Sequence, residues 1–110
     1  MKNMIIVYIA CVNEAEAKKI GTHIMRKRLA PCYNVIRNTY SAAFWPPKSN
    51  EIEETSGAVL ILKSIQEKYN AIENEVKSLH SDTNPCIFAL PVSHVSEDYY
   101  KWLVSEMEAV

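Results

Sequence analysis

Four strand-like runs interleaved with two helix-period stretches predict an α+β fold. The order is β-α-β-β-α-β, the ferredoxin-like split βαβ arrangement, followed by an extra C-terminal helix. A second observation shapes the prediction. Residues 38–64 (NTYSAAFWPPKSNEIEETSGAVLILKS) read as one β-hairpin, far longer than a chain of 110 residues needs. The length fits a single domain over residues 1–110.

Residues 4–12 (MIIVYIACV) are almost continuously apolar and β-branched, as in a strand buried on both faces. Asn13 is a helix N-cap, and Glu16 three residues on completes a capping box. The helix is expected to run to about Leu29, with Ala17, Ile20, Gly21, Ile24 and Met25 as its buried stripe and Pro31 as its stop. Lys18, Lys19, Arg26, Lys27 and Arg28 are mostly solvated, and the last three suit the C-terminal end of the helix dipole.

The second strand is predicted over residues 32–44, entering the hairpin, whose tip holds Pro46, Pro47, Lys48, Ser49 and Asn50. Prolines fit a tip because they donate no ladder hydrogen bond. The return arm starts charged (Glu51, Glu53, Glu54) and ends apolar, with residues 58–63 closing the third strand. Ser64 is expected to cap the next helix, with Glu67 at its capping-box position. Ile65, Tyr69, Ile72, Val76 and Leu79 form that helix's narrow apolar seam. The helix fades at Leu79 and His80 into a turn-rich loop, residues 81–85. Residues 86–92 (CIFALPV) form the fourth strand, whose Pro91 places it at an edge or bulge. Ser96, Glu97 and Asp98 open the last helix, with Tyr99, Trp102, Leu103 and Met107 on its apolar face.

With right-handed crossovers, both main helices cover one face of the sheet. The other face then needs a cover, and arms that overhang the fold need partners for their edges. Both point to an oligomer.

The net charge of −1 predicts no general attraction to nucleic acid or an anionic membrane surface. The longest apolar run, residues 4–12, is about half a membrane span. Cys11, Cys32 and Cys86 are odd in number and scattered, which argues for free thiols in a reducing, cytoplasmic compartment. Ile9-Ala10-Cys11 has some likeness to a lipoprotein cleavage site, but cleavage there would destroy the best strand in the chain.

Several segments, taken in order, resemble the CutA-like divalent-ion tolerance family over residues 4–105. Arg28-Leu29-Ala30 with Cys32 is similar to the family's KLAAC segment, and Phe44-Trp45 with the acids after it to its YWWEGKIE hairpin. Ile61-Leu62-Lys63-Ser64 is similar to ILKT, and His80 with Pro85 to HPYxxP. Ala89-Leu90-Pro91-Val92 and the 98–103 stretch DYYKWL resemble the LPV…DYLxWL ending. The chain departs from the pattern in its longer Pro46-Pro47 tip, in Ser81 and Asp82 after the histidine, and in its first cysteine. The family's strand-one cysteine aligns with Ile9, and Cys11 lies two residues on, on the same strand face. The resemblance implies a homotrimer whose hairpins wrap neighbouring subunits. It implies binding of copper or another divalent cation in metal tolerance, with no catalysis and no metal required for folding.

Two candidate sites follow. Cys11 and His80, with Asp82 as a carboxylate partner, are candidate metal ligands, because thiolate and imidazole suit copper or zinc. A cleft lined by Tyr40, Trp45, Lys63 and Glu53, gathered from two chains, is the second. Cys32 and Cys86 read as core, His23 as solvated, and His94 as a loop residue near a subunit cleft. The alternatives to a metal role are a small-ligand-sensing trimer of PII-like architecture and a trimer that assembles protein partners. Enzyme readings are weaker, since no motif places a nucleophile and base together.

Overall fold

In the computed structural model, which describes residues 3–108, the β-rich start of the chain becomes the central strand of a four-stranded antiparallel sheet. The strands are β1 (Met4–Cys11), β2 (Cys32–Phe44), β3 (Ile52–Ile65) and β4 (Ile87–Pro91), in the order β2-β3-β1-β4. Helices α1 (Glu14–Arg26) and α2 (Tyr69–Leu79) are the two crossovers, and α3 (Glu97–Glu108) follows β4. This is the expected ferredoxin-like arrangement. Among the described residues no helix is long and apolar enough to cross a membrane.

Strand register sorts the sheet into two faces. On one, Ile5, Val7, Ile9 and Cys11 pair with Ser64, Leu62, Leu60 and Ala58. These apolar residues pack against Ala17, Ile20 and Ile24 of α1 and Ile72 and Val76 of α2. The other face carries Ile6, Tyr8 and Ala10 beside Lys63, Ile61 and Val59 on β3, and Leu90 and Phe88 on β4. Tyr8 and Phe88 stack there with ring centroids 4.8 Å apart. Among the described residues, one end of this face is covered from within the chain: Leu103 and Met107 of α3 pack with Met4.

The hairpin overhangs as predicted. β1 ends where Cys11 pairs with Ala58, so β3 from Ile52 to Gly57 is held by β2 alone. The long dimension of the chain is 47 Å against 27 and 24 Å for the others. A register shift between Ile36 and Thr39, with Asn38 at φ 57°, re-aims the arm.

Several boundaries differ from expectation for identifiable reasons. The first helix stops at Arg26 rather than near Leu29. Arg28 takes a left-handed φ of 57°, and its N–H and that of Leu29 bond back to Met25 and Ile24, a Schellman ending. Arginine at that position is unusual, and its guanidinium is anchored on Glu106 of α3. Met25 accordingly faces out rather than into the stripe, and Trp102 is likewise exposed. Ser64 is no helix cap. It is fully buried inside β3, where its hydroxyl donates to the Leu29 carbonyl at 2.6 Å. Ile65 ends β3, and a single 3-10 turn, Gln66–Lys68, leads into α2. β4 is shorter than expected, which leaves Cys86 exposed before it rather than in the core. Cys32 is half-buried, its thiol 3.3 Å from the Tyr99 hydroxyl.

Candidate functional site

The end of β1 and the end of α2 meet beside the N-terminus of α1. Asn13 caps α1 by accepting the Glu16 N–H at 2.8 Å, as the capping-box spacing required. The Glu16 carboxylate then serves two neighbours. One oxygen accepts the Val12 N–H and the other accepts the Ser81 N–H, each at 2.9 Å. Burial works against ionising Glu16, but the bonds from Val12 and Ser81 outweigh it and hold its carboxyl below the ordinary range.

His80 follows the last turn of α2, and its side chain is fully buried. Nε2 lies 2.6 Å from the Ala10 carbonyl, and Nδ1 lies 3.0 Å from the Asp82 N–H. A carbonyl only accepts and an N–H only donates, so these partners select the neutral tautomer with its proton on Nε2. The Glu16 carboxylate is 3.7 Å from the same nitrogen. Cys11 completes the cluster: its sulfur, a Glu16 oxygen and a His80 nitrogen all lie within 4.8 Å of one another. Burial, then the charges of Glu16 and Asp82, push the Cys11 thiol up to about 12.

The expected pair, Cys11 and His80, is therefore brought together, but the third member is Glu16, which the sequence had marked only as a capping residue. Asp82 contributes its backbone N–H to His80, while its carboxylate lies outside the cluster. Sulfur, imidazole and carboxylate are the right donor types for zinc or copper. Their occupancy is wrong for a resting site. Both imidazole nitrogens are committed, both Glu16 oxygens accept backbone N–H groups, and the thiol holds its proton. A cation would have to break these bonds, so this cluster does not fit one as folded.

A second arrangement lies at the root of the hairpin. Glu53, Phe44 and Trp45 face the loop after His80 across a cleft of about 450 Å3, with Asp82 and Cys86 on its far wall. A neighbouring hollow of about 470 Å3 runs along the open sheet face towards Tyr8 and shares Glu53, Asp82 and Cys86. Glu53, Asp82 and the Cys86 thiol line both, Cys11 lines the second as well, and no basic side chain lines either. Of the four residues expected in the cleft, Trp45 and Glu53 are there. Tyr40 instead donates its hydroxyl to Glu54, which raises its own pKa. Lys63 pairs with Ile6 and Cys32 at the far end of β3, so within one chain it does not reach Glu53. Cys86 was missed as a site residue because an apolar run reads as strand up to its first residue. His23, expected to be solvated, pairs with Glu75 of α2 at 2.7 Å, and His94 is exposed beside Ser93.

The two thiols should differ sharply in chemistry. At pH 8 a thiol with a pKa near 12 is thiolate in only about one molecule in 10^4. Iodoacetamide is expected to alkylate the exposed Cys86 first and leave Cys11 unmodified until the chain unfolds, as read by peptide mass spectrometry. Equal rates at both would show that Cys11 is not buried as described. The same shift has a stability sign. Folding raises the Cys11 pKa from 9.0, so this contribution is fully present below about pH 9 and is lost as pH rises towards 12.

Comparison with known proteins bears on the chemistry. The family model described as CutA1 divalent ion tolerance protein matches residues 5–106. A divalent-cation tolerance protein CutA of Thermotoga maritima is 35% identical over 102 residues, 91% of this chain and 95% of that one. The solved structure of the periplasmic divalent cation tolerance protein CutA from Archaeoglobus fulgidus superposes with a TM-score of 0.90 at 30% identity, covering 96% of this chain and 99% of that one. CutA1 from Ehrlichia chaffeensis, 20% identical with a TM-score of 0.91 over 99% of each chain, shares the fold.

Proposed function

The chain belongs to the CutA1 divalent ion tolerance family, and from that premise we propose that it is a non-enzymatic, cytoplasmic homotrimer. It binds a divalent cation, copper or zinc, in the acidic cleft at the root of its hairpin. One observation carries the reading: Glu53, Asp82 and Cys86 line a single cleft that no cationic side chain lines. Two carboxylates and an exposed thiol are hard and soft donors together, a set suited to copper or zinc rather than to magnesium or calcium. The Glu53 and Asp82 carboxylates and the Cys86 thiolate would close on the ion to hold it, with Trp45 on one wall of the cleft.

The non-catalytic reading is supported by His80. It lies two residues before Asp82, and both of its nitrogens are engaged, so it is not poised to move protons. The trimer is supported by the open sheet face and the overhanging arm. Tyr40, Phe44, Trp45 and Ile52 are all more than half exposed on the arm, and Phe88 and Leu90 are exposed on the sheet. An apolar arm and an apolar face on the same chain suit copies that cover one another. A cytoplasmic setting is supported by three free thiols.

The test is calorimetric titration of the reduced, metal-free protein with zinc, and anaerobically with copper. It is run in parallel on the Glu53→Gln/Asp82→Asn double variant. Saturable binding at a simple ratio per chain, weakened at least about tenfold in the variant, is expected when ligand charge is removed. Equally tight binding in both would place the cation elsewhere, and no saturable binding would remove the metal role.

A further inference from the structure

We propose that His80 and Glu16 form a latch that positions the cation cleft, and that His80 is a positioning residue rather than a ligand. Residues 81–85 carry Asp82 but have no helix or strand of their own. Such a segment keeps its place only through bonds to something rigid. Here both of its ends are fastened to one residue of β1. At the front, the His80 Nε2–H donates to the Ala10 carbonyl at 2.6 Å. At the back, the Ala10 N–H donates to the Cys86 carbonyl at 3.1 Å. Between them, His80 Nδ1 accepts the Asp82 N–H, and Glu16 accepts the Ser81 N–H while also holding Val12 at the end of β1.

The arrangement leaves no imidazole lone pair for an ion. One nitrogen bonds the strand and the other bonds the residue that lines the cleft with Glu53. Because the side chains of His80 and Glu16 are 0% and 11% exposed, these bonds are shielded from competing water. Removing His80 therefore frees the wall of the cleft without removing any of its donors. The consequence for cation binding rests on the cleft reading above; the latch itself does not.

The experiment uses the full chain labelled with 15N-histidine, observed before and after addition of zinc, together with amide exchange in His80→Ala and Glu16→Gln. In the metal-free protein His80 is expected to show a protonated Nε2 and a bare, hydrogen-bonded Nδ1, and this signature is expected to persist at zinc saturation. In His80→Ala the Asp82 and Ser81 amides are expected to exchange at least about tenfold faster. Zinc should then bind about 10–100-fold more weakly at unchanged stoichiometry, the usual effect of losing a residue that supports ligands. Glu16→Gln should speed exchange at Ser81 more than at Asp82. A zinc-induced shift or loss of the His80 nitrogen signals would make His80 a ligand and overturn the proposal. Unchanged exchange at Asp82 in His80→Ala would overturn the latch. If zinc fails to bind at all, the cleft reading falls, while the metal-free spectra and exchange rates still decide the latch.

Discussion

A Phe88→Asp variant is expected to run as a single chain in light scattering, where the trimer proposed above requires the unmodified protein to run at three times the chain mass. Phe88 sits on the sheet face that carries neither α1 nor α2. It is 43% exposed and stacked on Tyr8, with Leu90, Ile6 and Ile61 around it. Within one chain this is a half-exposed position, so a carboxylate there costs the fold mainly the Tyr8 stack, on the order of 1 kcal/mol. Inside an interface the same carboxylate would be desolvated without a partner, a penalty of several kcal/mol repeated at each symmetry-related contact. The folded-chain circular dichroism should therefore survive while the assembly does not. A variant that stays trimeric would show that this face is not the interface. An unmodified chain that is itself monomeric would remove the trimer altogether.

Leu60→Ala is expected to lower stability by about 3–4 kcal/mol, read as a shift in the denaturant midpoint at fixed protein concentration. Leu60 lies at the centre of β3, paired with Ile9 on one side and Val35 on the other, and is completely buried under the helices. Truncation there removes the transfer free energy of the lost carbons and opens a cavity between the sheet and the two helices that the surrounding side chains fill only in part. A loss below about 1 kcal/mol would mean that the core is not packed around this residue.

The architecture was readable because each element announces itself locally. The apolar run of residues 4–12, the Asn13 cap on the Glu16 N–H and the spacing of Ile72 and Val76 each reflect local backbone geometry, and all three reappear in the fold. The hairpin was legible for the same reason, since Pro46-Pro47 and Lys48-Ser49-Asn50 can only be a tip between two long arms. Ser64 misled because a serine followed three residues later by glutamate has the pattern of a cap. Its burial beside Leu29 comes from a part of the chain 35 residues away. Arg28 misled because its left-handed turn is normally given to glycine; its guanidinium bonds Glu106, 78 residues away.

The candidate site was legible in its residue types and not in its wiring. Cys11 and His80 were found from their chemistry, yet spacing cannot say that His80 would meet Ala10, 70 residues earlier, and so have both nitrogens occupied. Glu16 was expected to reach back to the Asn13 N–H; it takes the Val12 N–H instead and gains a second partner at Ser81, which no local pattern encodes. Backbone period, capping and turn chemistry act over a few residues, so the order of strands and helices, the length of the hairpin and the one-sided covering of the sheet are properties of the linear chain. Which lone pairs are already used, which thiol is buried and which carboxylates share a cleft depend on contacts between distant segments. Those contacts exist only once hydrophobic burial has closed the fold around them.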